Sequence, residues 1–117
     1  MAQKLKIAVK PTFSAPVVML LAADDGKSTE IRFSATFKRL GGDETKSVRE
    51  RLEAGNITDK ELLDLVLADW TGLVDDTEAP FICTPENRAS AAHDWPSFEA
   101  SLARSYFQHA YPAAAKN

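Results

Sequence analysis

Leu62-Leu63-Asp64-Leu65-Val66-Leu67-Ala68-Asp69-Trp70-Thr71-Gly72 is the stretch on which the reading of this chain turns. Leu62, Leu63, Val66, Leu67 and Trp70 fall at helical spacing, which predicts an amphipathic helix with a broad core face that breaks at Thr71-Gly72. Just upstream, Thr58-Asp59-Lys60-Glu61 has the form of a capping box. The Thr58 hydroxyl can accept from the Glu61 backbone while the Glu61 carboxylate reaches back to Thr58. Downstream, an acidic loop, Asp75-Asp76-Thr77-Glu78, leads through Pro80-Phe81-Ile82-Cys83 to Thr84-Pro85, the cap and first turn of a further helix.

Toward the N-terminus the period changes from helical to alternating. Lys4-Leu5-Lys6-Ile7-Ala8-Val9-Lys10 predicts a half-buried strand ended by Pro11. Val17-Val18-Met19-Leu20-Leu21 is apolar on both faces, and Asp24-Asp25-Gly26-Lys27 supplies a turn. The return strand places Ile31, Phe33, Ala35 and Phe37 on one face and Glu30, Arg32, Ser34 and Thr36 on the other. Either the outgoing strand's second face is covered, by a later helix, the N-terminal segment or another subunit, or residues 17–21 are only partly strand. Gly41-Gly42 opens a helix over residues 43–54 with a thin apolar stripe of Val48 and Leu52, stopped by Gly55-Asn56. Toward the C-terminus, residues 85–92 predict a short helix and Asp94-Trp95-Pro96 restarts another to about Ala110. Its face carries Phe98, Leu102, Tyr106 and Phe107. Pro112 closes it, and residues 112–117 read as a frayed tail.

The expected architecture is α+β in one domain of 117 residues. A β-rich part (1–40), an antiparallel hairpin with a possible third strand, precedes a helical part (43–111) of about four short helices. With 44% hydrophobic and 26% charged residues the chain can form a real core. A net charge of −3 with no basic stripe argues against a nucleic-acid partner. No run approaches the roughly 20 apolar residues that span a bilayer. The N-terminal residues lack a signal-peptide core, and a single cysteine suits a reducing compartment, so cytoplasm is the expected location.

The residues offer little chemistry. Cys83, His93 and His109 are too widely spaced for a short-range metal motif, and Gly41-Gly42 lacks the phosphate-loop lysine. The acidic cluster of Asp69, Asp75, Asp76 and Glu78 lacks the calcium-loop spacing and reads as solvated. Trp70 and Trp95 are either core or interface anchors. The expectation is no enzyme, no cofactor and no metal. The alternative is a small enzyme or ligand-binding protein with a pocket near Cys83 or His93.

At Phe33-Ser34-Ala35-Thr36-Phe37-Lys38-Arg39-Leu40, and again over residues 57–87, the sequence resembles the tail assembly chaperones of long-tailed bacteriophages. The shared elements are Phe37-Lys38-Arg39-Leu40, Thr58-Asp59, Val66-Leu67, Asp69-Trp70, Gly72, and then Thr84, Glu86 and Asn87. The resemblance spans about residues 29–107. One departure lies in the loop, where Glu78-Ala79 stands ahead of Pro80 in place of an expected glycine.

The resemblance implies a non-enzymatic phage or prophage factor, working in the host cytoplasm and not retained in the mature virion. Such a factor coats the tape measure protein and keeps it soluble until tail tube subunits polymerise around it. It also implies self-association, as a spiral or another homo-oligomer, and a longer form made by ribosomal slippage that recruits tail tube protein. Ala115-Lys116-Asn117 is compatible with the slip-prone codons GCA AAA AAC. Val17, Val18, Met19, Leu20 and Leu21 are the expected interaction surface; the family-motif residues are expected to be structural. A structural tail component that stays in the particle is a further alternative.

Overall fold

The computed structural model describes residues 10–22 and 25–110. Two long strands, β1 (Thr12–Ala22) and β2 (Ser28–Lys38), form an antiparallel hairpin in unbroken register from Thr12↔Lys38 to Ala22↔Ser28. Two helices follow, α1 (Gly42–Glu53) and α2 (Asp59–Val66), then a short strand β3 (Leu67–Thr71), α3 (Pro85–Asp94) and α4 (Phe98–Ala110). β3 joins the far side of β2, so the sheet has the order β1-β2-β3 and is antiparallel throughout. The fold is α+β, as expected, with the sheet on one side and the helices packed on the other.

The alternation along β2 has the predicted sense: Phe33, Ala35 and Phe37 are buried and Ile31 is partly buried. They meet Ala15, Val17 and Met19 of β1, which points the same parity inward. Onto this face α4 lays Phe98, Leu102 and Tyr106, and α2 lays Leu62, Leu63 and Val66. The aromatic rings form a connected layer. Phe98 stacks on Phe33 with centroids 6.1 Å apart and meets Trp70 edge-on at 5.3 Å, while Tyr106 meets Phe37 edge-on at 5.4 Å.

One element differs from expectation. The predicted helix through residues 62–70 ends at Val66, and Leu67 already has extended backbone angles (φ −77°, ψ 120°). The central strand β2 would otherwise present a second open edge, and pairing Ser34, Ala35 and Thr36 with Thr71, Trp70 and Asp69 satisfies that backbone. Ladder pairing outweighs the local helical preference of Leu67-Ala68. The register slips at this point, with Phe37 opposite Leu67 and Thr36 opposite Asp69. Ala68 is thus the extra residue of a β-bulge. The third strand of the sheet comes from within the region assigned as helical, residues 43–111. The predicted strand at residues 4–10 lies outside the described residues except for Lys10, as do Pro112 and the tail.

The helix boundaries follow the chemistry read from the sequence. Both halves of the Thr58/Glu61 box are made, each at 3.1 Å. α1 ends in a Schellman pattern, Asn56 N–H donating to Arg51 carbonyl at 3.0 Å and Gly55 N–H to Leu52 carbonyl at 3.1 Å, with Gly55 left-handed at φ +70°. Of the predicted stripe on α1 only Val48 is buried; Leu52, expected to share its face, stands exposed near the end of the helix.

Candidate interaction surface

β1 is an edge strand, and its two parities have opposite fates. Val17 and Met19 are 0% exposed, whereas Val18 is 40% and Leu20 is 57% exposed. This corrects the expectation that residues 17–21 form one surface: Val17 and Met19 belong to the core, Leu21 is half-buried, and the outward strip is Val18 and Leu20 with Pro16. Across the strip β2 presents Arg32 opposite Val18 and Glu30 opposite Leu20, paired with each other at 3.2 Å.

Two carbonyls on the free edge of β1 are taken by serine hydroxyls, one from α4 and one from the residue just before it. Ser105 Oγ donates to the Pro16 carbonyl at 2.6 Å, and Ser97 Oγ donates to the Leu20 carbonyl at 3.0 Å. Pro16 itself has no N–H to offer. Strand addition is therefore blocked at Pro16 and Leu20, and a partner at this edge has to be recognised through side chains. Between α4 and the strip lies a cleft of about 480 Å³, lined by Pro16, Val18, Leu20, Ala100, Arg104 and Gln108 among others. Arg104 is exposed and has no ion-pair partner among the described residues. His109 also lines the cleft, its Nδ1 2.9 Å from the Ser105 carbonyl.

Some of the motif residues hold the fold together, while Lys38, Asp69 and Glu86 stand exposed. Phe37 is fully buried; Lys38 and Arg39 are exposed, with the Arg39 guanidinium 4.9 Å over the Phe13 ring, and Leu40 packs at the core margin. Trp70 is core: it is buried, its indole N–H donates to the Phe81 carbonyl at 2.7 Å, and its ring stacks on Phe81. Trp95 is partly buried against Phe81 and Phe98. Gly72 has φ +95°, and a Cβ there would lie 3.6 Å from Phe33, so a side chain is disfavoured by conformation first. Asp69 is exposed beside Trp70 on β3. Thr84 caps α3 by accepting from Asn87 N–H at 3.0 Å, Asn87 Nδ2 donates to the Ile82 carbonyl at 2.9 Å, and Glu86 stands exposed in the first turn.

After Gly72 the chain makes a small hairpin. Phe81 N–H donates to Leu73 carbonyl, Val74 bridges Pro80, and Asp75 N–H donates to Ala79 carbonyl at 2.8 Å. Asp75 Oδ1 organises the turn by accepting from Thr77 N–H, Thr77 Oγ1 and Ala79 N–H. The bonds from the Thr77 hydroxyl and then its N–H hold the Asp75 carboxyl below its ordinary pKa. Glu78 has φ +66°, the left-handed position that closes such a loop and that favours glycine. The departure at Glu78-Ala79 thus falls on the residue whose backbone suits glycine best. Val74 (57%) and Ile82 (60%) are exposed on this hairpin, with Asp76 and Glu78 beside them.

The sequence gives no sign of Arg88 as a tie. Its guanidinium reaches Asp64 at 2.8 Å, the Lys60 carbonyl at 3.1 Å and Glu99 at 3.9 Å, joining α2, α3 and α4. The partners lie far apart along the chain, so no local pattern signals them. The same holds for Ser97 and Ser105, which look like ordinary helix-surface residues until β1 lies beside them.

Cys83 packs at the margin of the core. The thiol is half-buried and its pKa is raised, by burial first and by Asp69 second, the opposite of an activated nucleophile. His93 is exposed and pairs with Asp94 at 3.0 Å. Among the described residues no three His, Cys, Asp or Glu side chains are grouped to hold a metal ion, and no helix is long and apolar enough to cross a membrane. No protein-family model matches the chain, and no curated protein or solved structure matches it.

Proposed function

We propose that this chain is a tail assembly chaperone of a phage or prophage, a non-enzymatic factor that shields the tape measure protein in the host cytoplasm and leaves before the particle is complete. The observation that carries the reading is the outward strip of β1. Val18 and Leu20 stand exposed on a strand whose alternate residues fill the core, and no described element covers them. An exposed aliphatic strip beside a helix-lined cleft suits side-chain recognition of another apolar surface. A long helical rod with bare apolar stripes self-associates unless it is coated, and weak contacts repeated along it give avidity yet let incoming tail tube protein displace each copy. Contacts between copies strengthen such a coat, and a slippage-extended form links it to the tube subunits.

The motif residues support the same reading as structural elements: Phe37, Trp70, Gly72 and Thr84 each do a packing, turn or capping job at the place the resemblance marks. The test is co-expression with the neighbouring long helical reading frame. The expected result is recovery of that product in the soluble fraction only when this chain is present, with Leu20→Lys abolishing the recovery. Equal solubility of the long product without the chain overturns the proposal, and detection of the chain in finished particles replaces it with a structural tail role.

A further inference from the structure

Two exposed apolar patches of this molecule carry opposite charge. One lies along β1 at one edge of the sheet, where Val18 and Leu20 line the cleft with Arg104, which has no ion-pair partner among the described residues, and with Glu30, which is paired with Arg32. The other is the hairpin that follows β3, the strand at the opposite edge, where Val74 and Ile82 are exposed beside Asp76 and Glu78. Asp75, on the same hairpin, is committed to the turn, which leaves Asp76 and Glu78 without side-chain hydrogen bonds or ion pairs among the described residues.

We infer that the acidic hairpin of one copy docks in the β1/α4 cleft of the next, Val74 and Ile82 against Val18 and Leu20, and Asp76 and Glu78 toward Arg104. The occupant is a second copy because the chain itself supplies the complement: an apolar cleft with Arg104 at its rim, where Glu30 is already paired with Arg32, and an apolar hairpin with Asp76 and Glu78, the arginine and both carboxylates lacking an ion-pair partner among the described residues. The pairing does not require an open strand edge, which matters because Ser97 and Ser105 close that edge at Leu20 and Pro16. Its hairpin arrives with side chains first. The two patches differ and lie at opposite edges, so the contact is heterologous, and wherever the rotation between copies does not close a ring it leaves one patch free at each end of the assembly. Growth is then open, stepwise and weakened by salt, since the charges are exposed. The inference rests on the self-association part of the proposed function and gives the β1 strip to the neighbouring copy, so that Leu20→Lys abolishes tape measure recovery through loss of the coat.

The test uses the full chain alone, followed by light scattering and sedimentation over a range of concentration and salt. Leu20→Glu spoils the cleft and Val74→Glu spoils the hairpin; both residues are exposed, so circular dichroism and unfolding midpoints should match those of the unaltered chain. The unaltered chain should grow in mass with concentration, and each variant alone should stay a monomer of 12.8 kDa. An equimolar mixture should form a two-copy particle and grow no further, because only the intact hairpin of Leu20→Glu and the intact cleft of Val74→Glu can meet. Arg104→Glu and Asp76→Lys should each weaken assembly at least tenfold without altering the fold. A chain that stays monomeric at all concentrations overturns the inference, as does a mixture that remains monomeric or single variants that assemble normally. Tape measure recovery by a strictly monomeric chain would overturn it too, while leaving the chaperone reading in place.

Discussion

The inner and outer faces of the sheet are made by the same strands yet differ in kind. Met19 and Leu20 are adjacent in β1, and Met19 has no solvent exposure while Leu20 has 57%. Inward, β1 and β2 meet aromatic and aliphatic residues of α2 and α4; outward, among the described residues, the hydrophobic residues of β1 meet the Arg32–Glu30 pair and a cleft. Hydrophobicity alone does not say which face is core. The difference lies in what the neighbouring strand offers on each side, since β2 is apolar inward and polar outward.

The comparison can be broken by substitutions on the two faces. Met19→Lys places an unpaired ammonium in the core, a cost of several kcal/mol against a total stability of about 5–15 kcal/mol. The expected outcome is loss of a cooperative urea transition, and a variant that unfolds like the parent would show that the inner face is not the core. Trp70→Ala should cost about 3–5 kcal/mol, since it removes a buried ring and leaves the Phe81 carbonyl without its donor. Chemical denaturation reads this directly. Trp70→Phe should fall well short of that loss. Leu20→Lys, one residue from Met19, should change stability by no more than about 0.5 kcal/mol while abolishing association. A large drop in its unfolding midpoint would place the strip in the fold rather than on an interface. The smallest effect is expected at the hairpin. A left-handed L-residue costs about 1–2 kcal/mol and glycine's extra backbone freedom about 0.5–1 kcal/mol, so Glu78→Gly should stabilise by about 0.5 kcal/mol, seen as a small rise in midpoint.

What could be read from the sequence was local. The period-two pattern of β2, the Thr58/Glu61 box, the Gly55 stop and the Thr84-Pro85 entry each depend on neighbours a few residues away, and each appears in the structure. The core identity of Leu62, Leu63, Val66 and Trp70 was legible as well, because both a helix and a helix-to-strand switch bury them. β3 was not, because the reason Leu67 turns extended is an unpaired edge of β2 some thirty residues earlier. The candidate surface was half legible. A strand apolar on both sides was evident, but the side left open depends on where α4 settles, and Arg104, Ser97 and Ser105 acquire meaning only beside β1. Phe37, Trp70, Gly72 and Thr84 of the motif are occupied with packing, turning and capping, which leaves the outward strip of β1 as the surface open to a partner.

The hydroxyls of Ser97 and Ser105 on the rim of β1 have a consequence for biosynthesis. The strand they guard is translated early and the guard is translated late, so a nascent chain carries a bare, hydrogen-bonding rim until α4 has left the ribosome. Pro16, which has no N–H to offer, interrupts that rim from the moment the strand is made.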